Sequence, residues 1–145
     1  EHKAYAGALW QKTIHICTMA NDTKRATVTV RIAADGTLLP AMVVIKGMAK
    51  GRIAMYELGM YPTTNHYRCQ ESAWMDEAVM VVWVDDILAP YITMALDHIV
   101  PFLILDSYHC HMMGSVVQRI QEIGVELQHI PGGCTSLFQP VGIGF

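Results

Sequence analysis

The sequence contains no long apolar run. The longest, Ala78–Val84 and Ile99–Leu105, fall far short of the roughly 18 residues that a membrane-spanning helix needs. The opening residues EHKAYAGALWQK have no apolar segment of the kind a secretory leader carries. The chain starts at Glu1 without a methionine, so further sequence is expected upstream. Cys17, Cys69, Cys110 and Cys134 include no C-x-x-C pair, which removes the usual zinc and dithiol spacings and favours a reduced, intracellular setting. Charged residues make up only 16% of the 145 residues, while 52% are hydrophobic. That balance excludes intrinsic disorder and leaves enough apolar surface for a core. No repeat or Pro/Ser-rich linker divides the chain, so one domain over residues 1–145 is expected.

Cations nearly vanish from the second half. Residues 71–145 hold one, Arg119, against nine acids, whereas residues 1–70 hold nine Lys/Arg against four acids. This asymmetry fits a polyanion-facing side beside a cation-binding side, or merely acids at solvated helix ends; charge alone favours the second.

The local pattern alternates first and turns helical later. Thr13–Cys17 reads as a short strand, and Asn21–Lys24 as a turn. Arg25–Ala33 (RATVTVRIA) is β-branched and alternating; Asp35-Gly36 is a hairpin signal, and Leu38–Lys46 is the returning strand, with Pro40 confined to its start or an edge. Residues 47–71 read as irregular with room for a short strand. Ser72 is the expected N-cap of a buried helix of about 17 residues, with Asp76 and Glu77 in its first turns and Pro90 as its stop. On that reading Trp74 and Trp83 share the helix as core residues. Phe102–Leu105 is a short apolar strand ending at Asp106, Val116–Ile123 an amphipathic helix closed by Gly124, and Val125–Ile130 a last strand. Antiparallel strands followed by strand–helix–strand imply a mixed α/β sheet of ribonuclease H type, with flanking helices.

Asp106 is the chemically suggestive residue. A carboxylate at the carboxyl end of a buried strand lies where open α/β sheets bind ligands, although aspartate also ends strands simply by taking turn hydrogen bonds. His109-Cys110-His111 is a weak metal cluster, because adjacent side chains diverge and no second pair stands at zinc spacing. A Cys–His nucleophile has no local signature, Met112 and Met113 read as core filler, and Gly132-Gly133 is no phosphate loop.

The stretches NDTKRATVTVRIAADGTLLPAMVVIKG, ESAWMDEAVMVVWVDDILAP, LILDSYHCHM and VELQHIPGGCTSLFQPVGIGF, in this order, resemble the pogo/Tigger/jerky-like (centromere protein B-like) transposases of the DDE endonuclease superfamily. The resemblance runs from about Lys12 to Phe145. It implies a ribonuclease H-like fold in which three carboxylates hold two Mg²⁺ or Mn²⁺ ions for DNA cleavage and strand transfer. It also implies a nuclear protein with DNA as its partner, no membrane, and room for a homo-oligomer.

On that resemblance the second acid is Asp106, and the third-acid position, two residues after Gln139-Pro140, is Gly142. The first acid would lie upstream of Glu1, on a central strand that the chain would then lack; exposed strand edges and poor stability are the expected result. Glu122 and Glu126 stand on a helix and a strand that should point elsewhere. Two of three ligands would thus be absent, and the chain is expected not to cleave DNA. Lys24, Arg25, Lys46, Lys50 and Arg52 are the candidate contacts to the DNA backbone.

Overall fold

The computed structural model describes residues 8–17 (as backbone), 25–95 and 100–134. Six strands occur in chain order: β1 (Ala8–Cys17), β2 (Arg25–Ala33), β3 (Met42–Lys46), β4 (His66–Gln70), β5 (Phe102–Asp106) and β6 (Glu126–Ile130). The helices are α1 (Glu77–Trp83), α2 (Ala89–Ala95) and α3 (Gly114–Glu122). The strand order is β4-β3-β2-β1-β5-β6, in a mixed sheet.

One expectation is overturned at once. The central place thought to be empty is filled by β1, which runs parallel to β5 with Ala8 opposite Phe102 and Trp10 opposite Ile104. Residues Ala8–Lys12, which precede the recognised TIHIC alternation, extend the strand towards the amino end. Their pattern is too irregular to read as a strand alone, but pairing with β5 supplies the backbone hydrogen bonds that make it one. The unpaired edges expected beside a missing strand are therefore not a feature of this fold.

The chain divides into two compact units. One comprises residues 13–30 and 40–75. In it β2 pairs antiparallel with β3 (Ala26 opposite Ile45, Thr29 opposite Met42), and β3 pairs parallel with β4. Its buried residues include Thr27, Thr29, Met42, Val44 and Met75. The irregular 47–71 stretch holds two short helical turns, Ile53–Glu57 and Leu58–Met60, before β4. The returning strand is shorter than expected, since Pro40 has no N–H for the ladder and regular pairing begins at Met42.

The other unit comprises residues 1–12, 31–39 and 76–145. Its hairpin closes at Ala33 and Thr37, whose backbones bond at 2.8 Å, and Gly36 takes φ +88°, a left-handed conformation that suits glycine. Leu103 and Leu105 of β5, Trp83, Val84 and Leu88, and Val116 and Ile120 of α3 are buried in this unit. β5 and β6 run parallel through α3, and Gly124 at φ +79° follows its end, as the sequence implied.

The expected 17-residue helix is differently built. Its N-cap is Asp76, whose carboxylate accepts from the Val79 N–H at 2.9 Å, while Ser72 lies in a turn fastened to the Gln70 side chain. Trp74 thus precedes the helix and is 43% exposed, not a core residue. Nor does Pro90 stop the helix. A wide turn, Val84–Leu88, shifts the bonding pattern so that the Ala89 N–H reaches Val84 O, and the proline follows where that register change has already occurred. Met112 is exposed as well, contrary to its reading as core filler.

Candidate functional site

Asp106 is the last residue of β5, opposite Ile130 of β6. Leu103 and Leu105 are fully buried, so the strand is anchored by its apolar face and its end is fixed. Beyond it the chain turns sharply. The Tyr108 N–H donates to Asp106 Oδ1 at 3.2 Å, and a short helical turn, His109–Met112, follows. The Ser107 hydroxyl donates to Ile130 O, tying this turn to β6.

That turn brings His111 back onto the carboxylate. His111 is buried, and its Nδ1 lies 2.8 Å from Asp106 Oδ1 and 3.1 Å from Asp106 O. Both neighbours are acceptors, so Nδ1 carries the proton. The His129 ring nitrogen Nε2, from β6, in turn donates to His111 O at 3.1 Å. Tyr108 packs edge-on against the His111 ring. Burial alone would push the Asp106 carboxyl up. The hydrogen bond and positive potential from His111, aided by the Tyr108 N–H and His129, outweigh it and hold the group below the ordinary carboxylate range. Cys110, buried beside it, has its thiol pushed up to about 12 by burial and by the Asp106 charge.

This arrangement presents one ionised carboxylate. Among the described residues no group of three His, Cys, Asp or Glu side chains could hold a metal ion. His109 faces solvent while Cys110 and His111 point inward, so the three-residue cluster does not converge. Asp106 alone does not fit a pair of divalent ions. Glu122 is engaged with Arg119 and Gln118, and Glu126 is exposed at the opposite end of β6 from Ile130.

The family profile described as DDE superfamily endonuclease matches residues 23–145. The chain belongs to the DDE superfamily of endonucleases. Within the superfamily it is similar to the mouse protein "Pogo transposable element with KRAB domain", 27% identical over 133 residues that cover 92% of this chain and 21% of that protein. The human protein of the same description is 25% identical over the same shares. Human "Pogo transposable element with ZNF domain" is 24% identical over 116 residues, 80% of this chain and 8% of that protein. The chain spans about a fifth or less of the length of these curated relatives.

The remaining residues expected to act in this DDE superfamily chain are placed as follows. Gly142 and Lys24 lie outside the described residues. Arg25 begins β2 and Lys46 ends β3, and the Ala26–Ile45 pairing puts them at one end of their unit. Lys50 and Arg52 follow Lys46 through a turn closed by the Gly51 N–H to Met48 O, and both are exposed. Four expected cations therefore share one end of that unit. His111, which the sequence offered only as part of the weak His109–His111 cluster, bonds Asp106, and His129, which the sequence did not single out, bonds His111 O. The one available signal was a histidine five residues after a strand-ending aspartate.

Proposed function

We propose that this chain is the catalytic-core segment of a pogo-like transposase or a protein derived from one, with a ribonuclease H-like sheet. Its ancestral chemistry is Mg²⁺- or Mn²⁺-dependent cleavage and strand transfer of DNA, with Asp106 as the second of three acids. The carrying observation is a part-buried, ionised carboxylate at the end of a strand parallel to the sheet's inner strand, within a chain of this superfamily. An antiparallel β2–β3 pair followed by parallel β5 and β6 supports the ribonuclease H-like reading. Lys46, Lys50, Arg52 and Arg25, with Lys24, would meet DNA phosphates without reading sequence.

In this reading the chain as it stands does not cleave DNA, because Gly142 occupies the third-acid position. The test is Mg²⁺- or Mn²⁺-dependent nicking of supercoiled plasmid by the full reading frame, comparing the parent with Gly142→Asp. No nicking by the parent and recovery in the variant is expected. Robust nicking by the parent overturns the reading.

A second reading is favoured by Gly142 and by relatives whose names pair a pogo element with KRAB or ZNF domains. It is a domesticated, non-catalytic DNA-binding or chromatin protein of the nucleus. Salt-sensitive duplex binding, weakened by joint substitution of Lys46, Lys50 and Arg52 and unaffected by Gly142→Asp, is its expected signature.

A further inference from the structure

We propose that His111 is the positioning residue of the Asp106 site. One ring N–H reaches both the Asp106 side-chain oxygen Oδ1 (2.8 Å) and the Asp106 backbone oxygen (3.1 Å), which fixes the carboxylate relative to the strand that carries it. Among the described residues, both side-chain hydrogen bonds to Asp106 fall on Oδ1, the second coming from the Tyr108 N–H. Oδ2 takes neither of these bonds.

The clamp has a second layer. His111 is itself held through its backbone, since its N–H bonds Tyr108 O at 2.9 Å and its carbonyl accepts from His129 Nε2 at 3.1 Å. The hydrogen bond of Ser107 to Ile130 O fastens the same turn to β6 from the other side. Three segments, the end of β5, the turn 107–112 and β6, therefore converge on one orientation of one carboxylate. A free aspartate at a strand end would sample several side-chain rotamers, and ordering it on binding would cost affinity. Here the protein has ordered it beforehand, and no cation is needed to do so. Nδ1 of His111 and Nε2 of His129 are both donors in these contacts, because each faces carbonyl or carboxylate oxygen.

The purpose assigned to this clamp rests on the reading of Asp106 as the site acid, and the experiment separates the two. Ring ¹⁵N spectra of the whole chain should show a slowly exchanging Nδ1–H on His111. Three-bond couplings from backbone N and C′ to Asp106 Cγ should report a single rotamer in the parent. His111→Asn, whose Nδ2 stands where Nδ1 stood, should keep that rotamer, and His111→Leu should lose it to averaging while the α3 amide signals stay unchanged. A single rotamer retained in His111→Leu, or averaging in the parent, overturns the proposal. Should the leucine variant fail to fold, the parent ring decides, because an unprotonated or rapidly exchanging Nδ1 also overturns it. Mn²⁺ added to the full reading frame carrying Gly142→Asp tests the other reading. Broadening of the Ser107 and Tyr108 amides is expected in that variant, and its absence there removes Asp106 as a cation ligand while the couplings still decide the clamp.

Discussion

The guanidinium carbon of Arg31 lies 4.0 Å from the centroid of the Trp83 ring, and both residues are fully buried. Burial holds the guanidinium well below its ordinary pKa, so the charge is costly and the ring face is one of the groups that offsets it. Among the described residues the Trp83 indole N–H makes no hydrogen bond. What Trp83 contributes is therefore volume and a π face. Trp83→Ala should cost about 3–5 kcal/mol in urea unfolding. Trp83→Phe keeps a ring and removes an unsatisfied donor, and it should cost less than half as much. Equal costs for the two would contradict a role for the ring face.

The cap of α1 shows where local sequence signals stop. Ser72 and Asp76 are both good N-cap residues, and the acids of a first turn suited either start. What decides is the preceding segment: the Gln70 side chain takes the Ser72 and Trp74 N–H groups, and Ala73 adopts φ +58°, so the backbone cannot yet be helical. Asp76→Ala should lower stability by about 1 kcal/mol by loss of the Val79 bond, and Ser72→Ala should stay within about 0.5 kcal/mol of the parent. Thermal unfolding of the two variants checks it, and a larger loss from Ser72 would restore the earlier start.

The same limit governs what was legible elsewhere. The hairpin, the strand ending at Asp106, the α3 segment and the closing Gly124 follow from alternation, Asp-Gly chemistry and capping, all of which act over a few residues. β1 was cut short because its first half has no clean period and is strand only through pairing with β5. In β2 the alternation identified the strand but not its buried face, which carries Thr27, Thr29, Arg31 and Ala33 while Val28, Val30 and Ile32 are half-buried. At the site, a carboxylate closing an apolar run was visible. Its pairing with His111 was not, since a five-residue turn brings that ring back to it and His129, from a neighbouring strand, holds the His111 carbonyl.

Cys110 offers a check on the packing of that turn. Its thiol is buried and pushed up to about 12, whereas Cys69 and Cys134 are each partly exposed. The thiolate is the reactive form, so Cys110 should resist a disulfide-exchange reagent at neutral pH in the native chain and react once urea unfolds it. Native-state labelling of Cys110 at a rate matching Cys134, read by peptide mass, would mean that the 109–112 turn opens readily.

Acid should reveal the Asp106–His111 contact most directly. The folded carboxyl titrates below the usual value: burial raises it, but the His111 hydrogen bond and charge and the Tyr108 N–H lower it further. A carboxyl depressed on folding stabilises the native state above the unfolded pKa near ~4, and that contribution fades as pH falls through the lower folded value. The parent should therefore lose stability between about pH 5 and the folded pKa, beyond whatever the other carboxyls contribute. Asp106→Asn has no proton to take up and should lose less over the same range. Chemical denaturation at pH 7 and at pH 3 or below measures both slopes. An Asp106→Asn chain that loses as much stability in acid as the parent would show that this carboxylate is not favoured by folding, and that His111 does not hold it as the geometry implies.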